Sequence, residues 1–466
     1  MQVEEIIEQY TGKKVIDMPQ MSETWLQWYT GSVKDFHSYM DYNGVKKVMC
    51  KRSTLNMAKK ISEDWANLLL NEKTNVVCGN EEQQKKLNKL LESVNFWEKG
   101  NEGIEKSFGL GNGAFVCGFD DERKVWLQFV NYQKIKPLTI EKDEVVECAF
   151  INQGTDRLVI QIHIKGTIDK DENVILNKDG NYIIISLVYA VSNNTIGEMI
   201  GEPQAIDTGT KEKWFEMIRP NIANNIDINS PLGISIFANS IDVLRGVDLA
   251  YDAYCEEMRI GKAKMFIDKR LTNFNADGEY LVFDVNQTGF YYLGGDENSK
   301  QPLTIYSPTL RTEQCYAGIN NTLNLLSAKC GFGENHYRFD GGNISTATQV
   351  VSENAEMFRS LKKHEILLEP NIIGVCRTLM YISNTFGKYD FKFNLEDELK
   401  VVFDDSIIED KQGEMAKDRL DVANGIMGKV EYRMKWYGED EATARKKIEE
   451  ANAEKGNELN NLFSEG

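Results

Sequence analysis

Residues 230–262, SPLGISIFANSIDVLRGVDLAYDAYCEEMRIGK, decide how the rest of the chain is read. Ser230 suits an N-cap and Pro231 the first helical position, where a missing N–H costs no bond. The stretch predicts one helix about 48 Å long at 1.5 Å per residue. Ile234, Phe237, Ile241, Leu244, Val247, Tyr251, Tyr254 and Met258 recur at steps of three and four and form a single apolar stripe. Asp242, Arg245, Asp248, Asp252, Glu256, Glu257 and Arg259 take the other side. Gly246, in the interior, costs ~1 kcal/mol against alanine, which predicts a bend or a close neighbour. The stripe alone fits a monomer core as well as a surface shared between subunits.

Downstream, Met265–Asp268, Glu279–Val285 and Phe290–Leu293 read as strands of a small unit ending near Tyr306. A second Ser–Pro pair, Ser307–Pro308, launches another helix to about Lys329, with Leu310, Ile319, Leu323 and Leu326 apolar. Two helices started in the same way thus bracket a β insert. The loop GFGENHYRFDGGN (331–343) follows, then the longest helical stretch, 346–386. Thr346 and Gln349 make a capping box, and Ala347, Val350, Val351, Phe358 and Leu361 begin its stripe. Pro370 should kink or split this helix, because it removes a backbone bond. FKFNLEDELKVVFDD (391–405) is strand-like, and the charged remainder is helical with a polar, mobile tail.

Upstream, residues 1–73 read as helical. Ser22 caps a short helix bearing Trp25, Leu26, Trp28 and Tyr29, and a longer one from Ser53 carries Leu55, Ala58, Ile61, Trp65 and Leu68. NVVC (75–78) is a short strand, followed by helices at 81–94 and 96–108. From Gly109 to Val191 the period becomes two: Ala114–Phe119, Val125–Val130, Val145–Asn152, Leu158–Ile164 and Tyr182–Val188 are strands between Gly, Asp and Asn turns. Residues 192–229 are polar and less regular.

Lys and Arg number 54 against 72 Asp and Glu, a net charge of −18. Such a chain is not built to grip nucleic acid through many phosphate contacts, which depend on Lys and Arg displacing counterions. It could still surround DNA. The eight cysteines are scattered without a C-x-x-C pair and accompany only four histidines, so neither a zinc framework nor a disulfide scaffold is expected. The start, MQVEEIIEQYTGKK, lacks a signal-peptide pattern, and no apolar run approaches the ~20 residues that span a bilayer. A reducing cytoplasm, without membrane contact, is the expected setting.

No catalytic, cofactor or metal residue emerges. GLGNG (109–113) resembles a phosphate loop, but AFVCGF after it reads as a strand where a helix is required, so a tight turn is expected. Asp404, Asp405, Glu409 and Asp410 lack a completing ligand and read as a solvated loop. His37, His163, His336 and His364 stand apart from any nucleophile and read as structural or surface residues. The residues therefore point to a non-enzyme.

Taken together, RSTLNMAKKISEDWANLLLNE (52–72), GNGAF (111–115), residues 229–267, STATQVVSENAEMFRSLKKHE (345–365) and DVANGIMGKVEYRMKWYGEDE (421–441) resemble the portal proteins of tailed bacteriophages, in the branch found in phages of Gram-positive bacteria. The resemblance implies an α+β portal fold with a wing, a two-helix stem, a small β-rich clip, a long kinked wing helix and a reduced helical crown. It divides the chain into an N-terminal wing (1–229), a stem helix (230–262), the clip (263–306), a second stem helix (307–330), a tunnel loop (331–345), the wing spine helix and strand (346–405) and crown helices with a tail (406–466).

The resemblance further implies a homo-oligomeric ring, typically of twelve subunits, at one capsid vertex of the virion, assembled in the host cytoplasm. Double-stranded DNA would pass through it without sequence specificity during packaging and ejection. Its partners would be the terminase large subunit, a head–tail connector or adaptor, and the major capsid and scaffolding proteins. Lys329, His336, Arg338 and Asn343 would approach DNA from the tunnel loop. Some of Asp242, Asp248, Asp252, Glu256 and Glu257 would face the channel, the period alone not saying which, and Lys269, Arg270, Asn273 and Asn275 are the candidates to dock partners from the clip. The competing reading is a non-viral intracellular helical scaffold without a nucleic-acid role.

Overall fold

The first acidic run does form a helix, α1 (Val3–Thr11), closed by Gly12 in the left-handed region at φ 63°. Helix α2 (Ser22–Tyr29) buries Trp25 and Trp28. The expectation that residues 1–73 are helical then fails, because Ser38–Tyr42 (β1) and Lys47–Lys51 (β2) pair as an antiparallel hairpin. Its turn contains Gly44 at φ 92°, a conformation that favours glycine. Helix α3 (Met57–Leu69) buries Ala58, Ile61, Trp65 and Leu69, and β3 (Asn75–Cys78) follows. In α4 (Glu81–Ser93) the Asn80 side chain accepts from the Glu82 and Gln83 N–H groups, a cap of the ordinary kind. Helix α5 (Phe96–Leu110) ends at Gly111, φ 86°, and Gly113 already belongs to the next strand, so the turn expected over GLGNG is confined to Gly111–Asn112.

The computed structural model describes residues 2–42, 44–169, 174–193, 195–261, 264–268, 289–293, 303–338, 347–404 and 411–450. The expected strands are present as β4 (Gly113–Phe119), β5 (Val125–Asn131), β7 (Glu144–Gln153), β8 (Arg157–Ile168) and β10 (Asn181–Ser192). Others were not expected: β6 (Ile135–Glu141), β9 (Val174–Leu176), β11 (Thr195–Met199), β12 (Gln204–Asp207) and β13 (Phe215–Ile218). The polar character of 192–229 hides short strands that need only one apolar face. One sheet of seven strands runs β11-β10-β8-β7-β6, with β12 on β10 and β9 on β8; a second is β13-β4-β5. Strand β6 contains Pro137, which it tolerates by pairing on one side only and slipping register between Pro137 and Thr139. Ile6 and Ile7 of α1 close the core over Ile160, Ile162, Ile164, Ile183 and Leu187.

Residues 230–237 depart from the single long helix expected there. After a short 3-10 turn at Ala238–Ser240, α6 runs only from Ile241 to Ile260, about 30 Å by its rise. The cause lies 121 residues away: Asn112 Nδ2 donates to the Gly233 carbonyl at 2.9 Å, and Gly233 N–H donates to Asn112 Oδ1 at 2.8 Å. Ile236 N–H donates to the Phe108 carbonyl at 2.8 Å. A Cβ on Gly233 would lie 2.3 Å from the Gly111 carbonyl oxygen, so glycine is required at this crossing.

Strands β14 (Lys264–Asp268), β15 (Gly289–Leu293) and β16 (Leu303–Tyr306) form a small sheet with β14 central, parallel to β15 and antiparallel to β16. The strand expected at 279–285 lies outside the described residues. Helix α7 spans Thr312–Lys329, starting later than Pro308. Helix α8 (Ala347–Thr385) continues through Pro370, so the helix does not split. The carbonyl freed by Pro370 belongs to Ile366, a residue 72% exposed, where water can take the bond. β17 (Leu399–Val402) pairs antiparallel with β3. Over Ala355–Thr385, α8 is long and apolar enough to cross a membrane by length and composition, contrary to the expectation of no such run. Leu361, Leu368, Ile372, Val375, Cys376 and Leu379 are nonetheless buried within the protein, as in a core helix.

The chain groups into two units: Met1–Gly341 with Arg359–Asp404, and Gly342–Phe358 with Asp405–Gly466. The second holds α9 (Lys411–Ala423) and α10 (Lys429–Tyr437), tied by Asp418, which accepts from Lys435 Nζ at 2.6 Å and Trp436 Nε1 at 2.8 Å. The tail after residue 450 lies outside the described residues.

Candidate channel and docking residues

Helices α6 and α7 pack together, burying Leu244, Val247, Ile319, Leu323 and Leu326. On α6 the acidic residues do not share one fate. Asp248, only 4% exposed, accepts from His37 Nε2, Thr54 Oγ1 and the Leu55 N–H, each at 2.9 Å. Val33 N–H donates to His37 Nδ1 at 2.9 Å, so the ring proton sits on Nε2 and points at the carboxylate. One turn on, Asp252 accepts from the Ser53 N–H at 2.9 Å and lies 3.7 Å from Arg52 Nε. Asp248 therefore cannot line a channel, and Asp252 is engaged by the chain's own residues 52–53. Together they fasten α6 to the segment leading into α3.

Glu257 reaches across to α7, taking Arg311 Nε at 2.8 Å; the hydrogen bonds from Arg311 hold its carboxyl below the usual range. Glu256 pairs with Arg259 on its own helix at 2.7 Å and stays part-exposed, and Asp242 is exposed. At 100° per residue Asp242, Leu249, Ala253, Glu256 and Ile260 share one face. Leu249 and Ile260 are each 48% exposed there, and Tyr316 and Leu325 are exposed on α7.

In its described part the glycine-rich loop buries Phe332 and Gly333, while Glu334, His336 and Arg338 are exposed. Lys329 Nζ donates to the Asn239 carbonyl at 3.0 Å. Phe332 stacks on Trp65 at 4.6 Å and His336 on Phe332 at 4.4 Å. His336 Nε2 is 4.0 Å from Asp64, and burial lowers its pKa although Asp64 acts the other way. Tyr337 donates to Asp64 at 2.9 Å. Arg338 is exposed, and Asn343 lies outside the described residues, as do Lys269, Arg270, Asn273 and Asn275.

Other groups could suggest chemistry. A cleft of about 530 Å³ lined by Lys213, Trp214, Glu216, Pro370, Arg377 and Tyr381 contains Glu216, which burial raises to about 7 against the pull of Lys213 at 3.1 Å. Gly374 packs so closely that a Cβ there would meet Glu216 Oε1 at 2.4 Å. Beside Glu216 the lining holds Thr210, Glu212, Thr378 and Tyr381 but neither histidine nor cysteine. Among the described residues no group of three His, Cys, Asp or Glu could hold a metal. Asp404 pairs with Lys73 at 3.4 Å, while Asp405, Glu409 and Asp410 lie outside the described residues. His163 and His364 are buried, and Asn221 N–H donates to His364 Nδ1 at 3.1 Å.

The described residues thus give a sheet-rich body, two packed helices on either side of a small sheet, and a long helix after a glycine-rich loop. The family described as phage portal protein, SPP1 Gp6-like, matches residues 2–458, and the chain belongs to it. It is thus a portal protein of the capsid vertex. No curated protein matches the chain. Among solved structures, the neck of a native gene transfer agent particle computed with C12 symmetry is similar at 11% identity and TM-score 0.43, covering 92% of this chain and 97% of that one. The virion of the native gene transfer agent particle is similar at 12% identity and TM-score 0.41, with the same coverage. Likenesses that distant say nothing specific about this chain.

Proposed function

We propose that the subunit closes into a homo-oligomeric ring, of the twelve copies that the resemblance implies, and conducts double-stranded DNA during packaging and ejection without catalysing a reaction. The observation that carries this reading is the α6–α7 pair. Its inner row is buried, while Tyr316 and Leu325 remain exposed on opposite sides of α7, apolar surface that the neighbouring copies on either side in a ring can cover. Of the five acidic residues, Asp242 and Glu256 are left as channel-facing groups, where negative charge keeps a sliding duplex from sticking. ATP hydrolysis falls to a terminase large subunit docked, with a head–tail connector, on the segment 263–306 through Lys269, Arg270, Asn273 and Asn275. Capsid and scaffolding proteins would meet the ring during assembly in the host cytoplasm.

Negative-stain microscopy of the purified protein tests this reading. Closed rings with a hole of duplex width are expected, and a stable monomer at all concentrations would sink it. Arg338→Ala tests the tunnel loop, where packaging rate and DNA retention should both fall; unchanged values would remove Arg338 from the channel.

A further inference from the structure

The β1–β2 hairpin places no residue in the chain's own buried core. Its register places Ser38 opposite Lys51, Met40 opposite Met49 and Tyr42 opposite Lys47, and all six are exposed. Met40 is 54% exposed, Tyr42 63%, Met49 64% and, in the turn, Val45 84%. The opposite face, with Tyr39, Val48 and Cys50, is half-buried. A two-stranded hairpin is marginal in water by itself.

The root of the hairpin is nevertheless fixed. Arg52 N–H donates to the His37 carbonyl at 2.9 Å, and its guanidinium lies over Phe36 at 4.4 Å and Tyr39 at 4.7 Å. Asp248 and Asp252 bind the residues on either side of this root, namely His37 and Ser53–Leu55. The hairpin is therefore held at its base to α6, the helix that carries the exposed Leu249 and Ile260.

We propose that this hairpin is an assembly arm whose face of Met40, Tyr42, Met49, Lys47 and Lys51 docks on a second copy of the chain. The proposal rests on the ring reading above and names the segment that locks one subunit to the next. Charge selects the occupant: residues 38–51 carry three lysines, Lys46, Lys47 and Lys51, and one acid, Asp41, in a chain of net charge −18, so another copy offers an acidic counter-surface. The methionines supply adaptable apolar contact that a phosphate backbone would not use.

The test compares the full-length protein with the variant Met40→Ser, Tyr42→Ser, Val45→Ser, Met49→Ser, by mass photometry over a concentration series. These side chains are already wet in the subunit, so its thermal melt should be unchanged. The concentration for half-assembly should rise at least ~10-fold, as expected when several interface anchors are lost. A folded variant that forms rings at the wild-type concentration overturns the arm and leaves the ring reading standing. A wild type that never assembles overturns both. Should the variant fail to fold, lysine cross-linking of wild-type rings mixed from heavy- and light-nitrogen copies decides. Cross-links from Lys46 or Lys47 to the other isotope support the arm, and links confined to one copy overturn it. Intact variant rings that lose only duplex DNA binding would assign the face to nucleic acid and likewise overturn the proposal.

Discussion

Asp248 and Asp252 lie one helical turn apart, on the same side of α6, and both point into the chain rather than away from it. Asp248 is the acceptor for three donors from two segments, His37 and Thr54–Leu55. Asp248→Ala would leave those donors buried without a partner, and the subunit should lose about 3 kcal/mol of unfolding free energy, measured by denaturant titration. Asp242→Asn, at an exposed position, should change stability by less than ~0.5 kcal/mol. Equal effects would mean that the carboxylate network is not what fastens α6. A charge pattern read along a helix says which residues share a side, but not whether that side meets water or another segment.

At the scale of the element, α6 is shorter than its sequence suggests, and Gly246 loses the explanation of crowding within the subunit. A Cβ there would stand 3.7 Å from Thr322 Cγ2, an ordinary contact. Gly246→Ala should therefore stabilise the isolated subunit by up to ~1 kcal/mol through helix propensity. If the ring needs close approach at this point, the same variant will assemble at higher concentration, so melting and mass photometry separate the two reasons. The helix itself was legible from its three- and four-residue apolar steps. Its start was not, because Ser230–Pro231 is a genuine helix-start signal overruled by Asn112 and Gly233. The hairpin at 38–51 was missed for the opposite reason, since most of its large apolar side chains stay exposed and leave no buried period to read.

At the scale of the molecule, buried ionisable groups set an acid response of opposing signs. Burial holds His163 and His364 near pH 3, against an ordinary value of 6.5. Their contribution is complete above about pH 6.5 and is lost as pH falls towards 3, because the unfolded chain takes up protons that the fold refuses. Glu216, raised to about 7, contributes in the other direction: its stabilisation is complete below 4.5 and lost as pH rises through 7. Between pH 7.5 and 5 the effects partly cancel, each group changing stability by up to about 1.4 kcal/mol per pH unit. Glu216→Gln should therefore lose melting temperature on acidification more steeply than the wild type, and His163→Leu less steeply. Parallel profiles for all three proteins would show that these groups do not control the response.

What the sequence determined by itself is what neighbouring residues encode: most helices and long strands, the order of parts that places the chain among portal proteins, and the acidic balance that argues against gripping DNA. What only the tertiary structure decided is which surface each side chain meets. Asp248 turns inward to His37, His336 lays its ring on Phe332, and residues 230–237 are pinned by Asn112. Periodicity is local, whereas these partners come from segments far apart in the chain, such as Asn112 and Gly233 at 121 residues, and their hydrogen bonds form only once the body has folded.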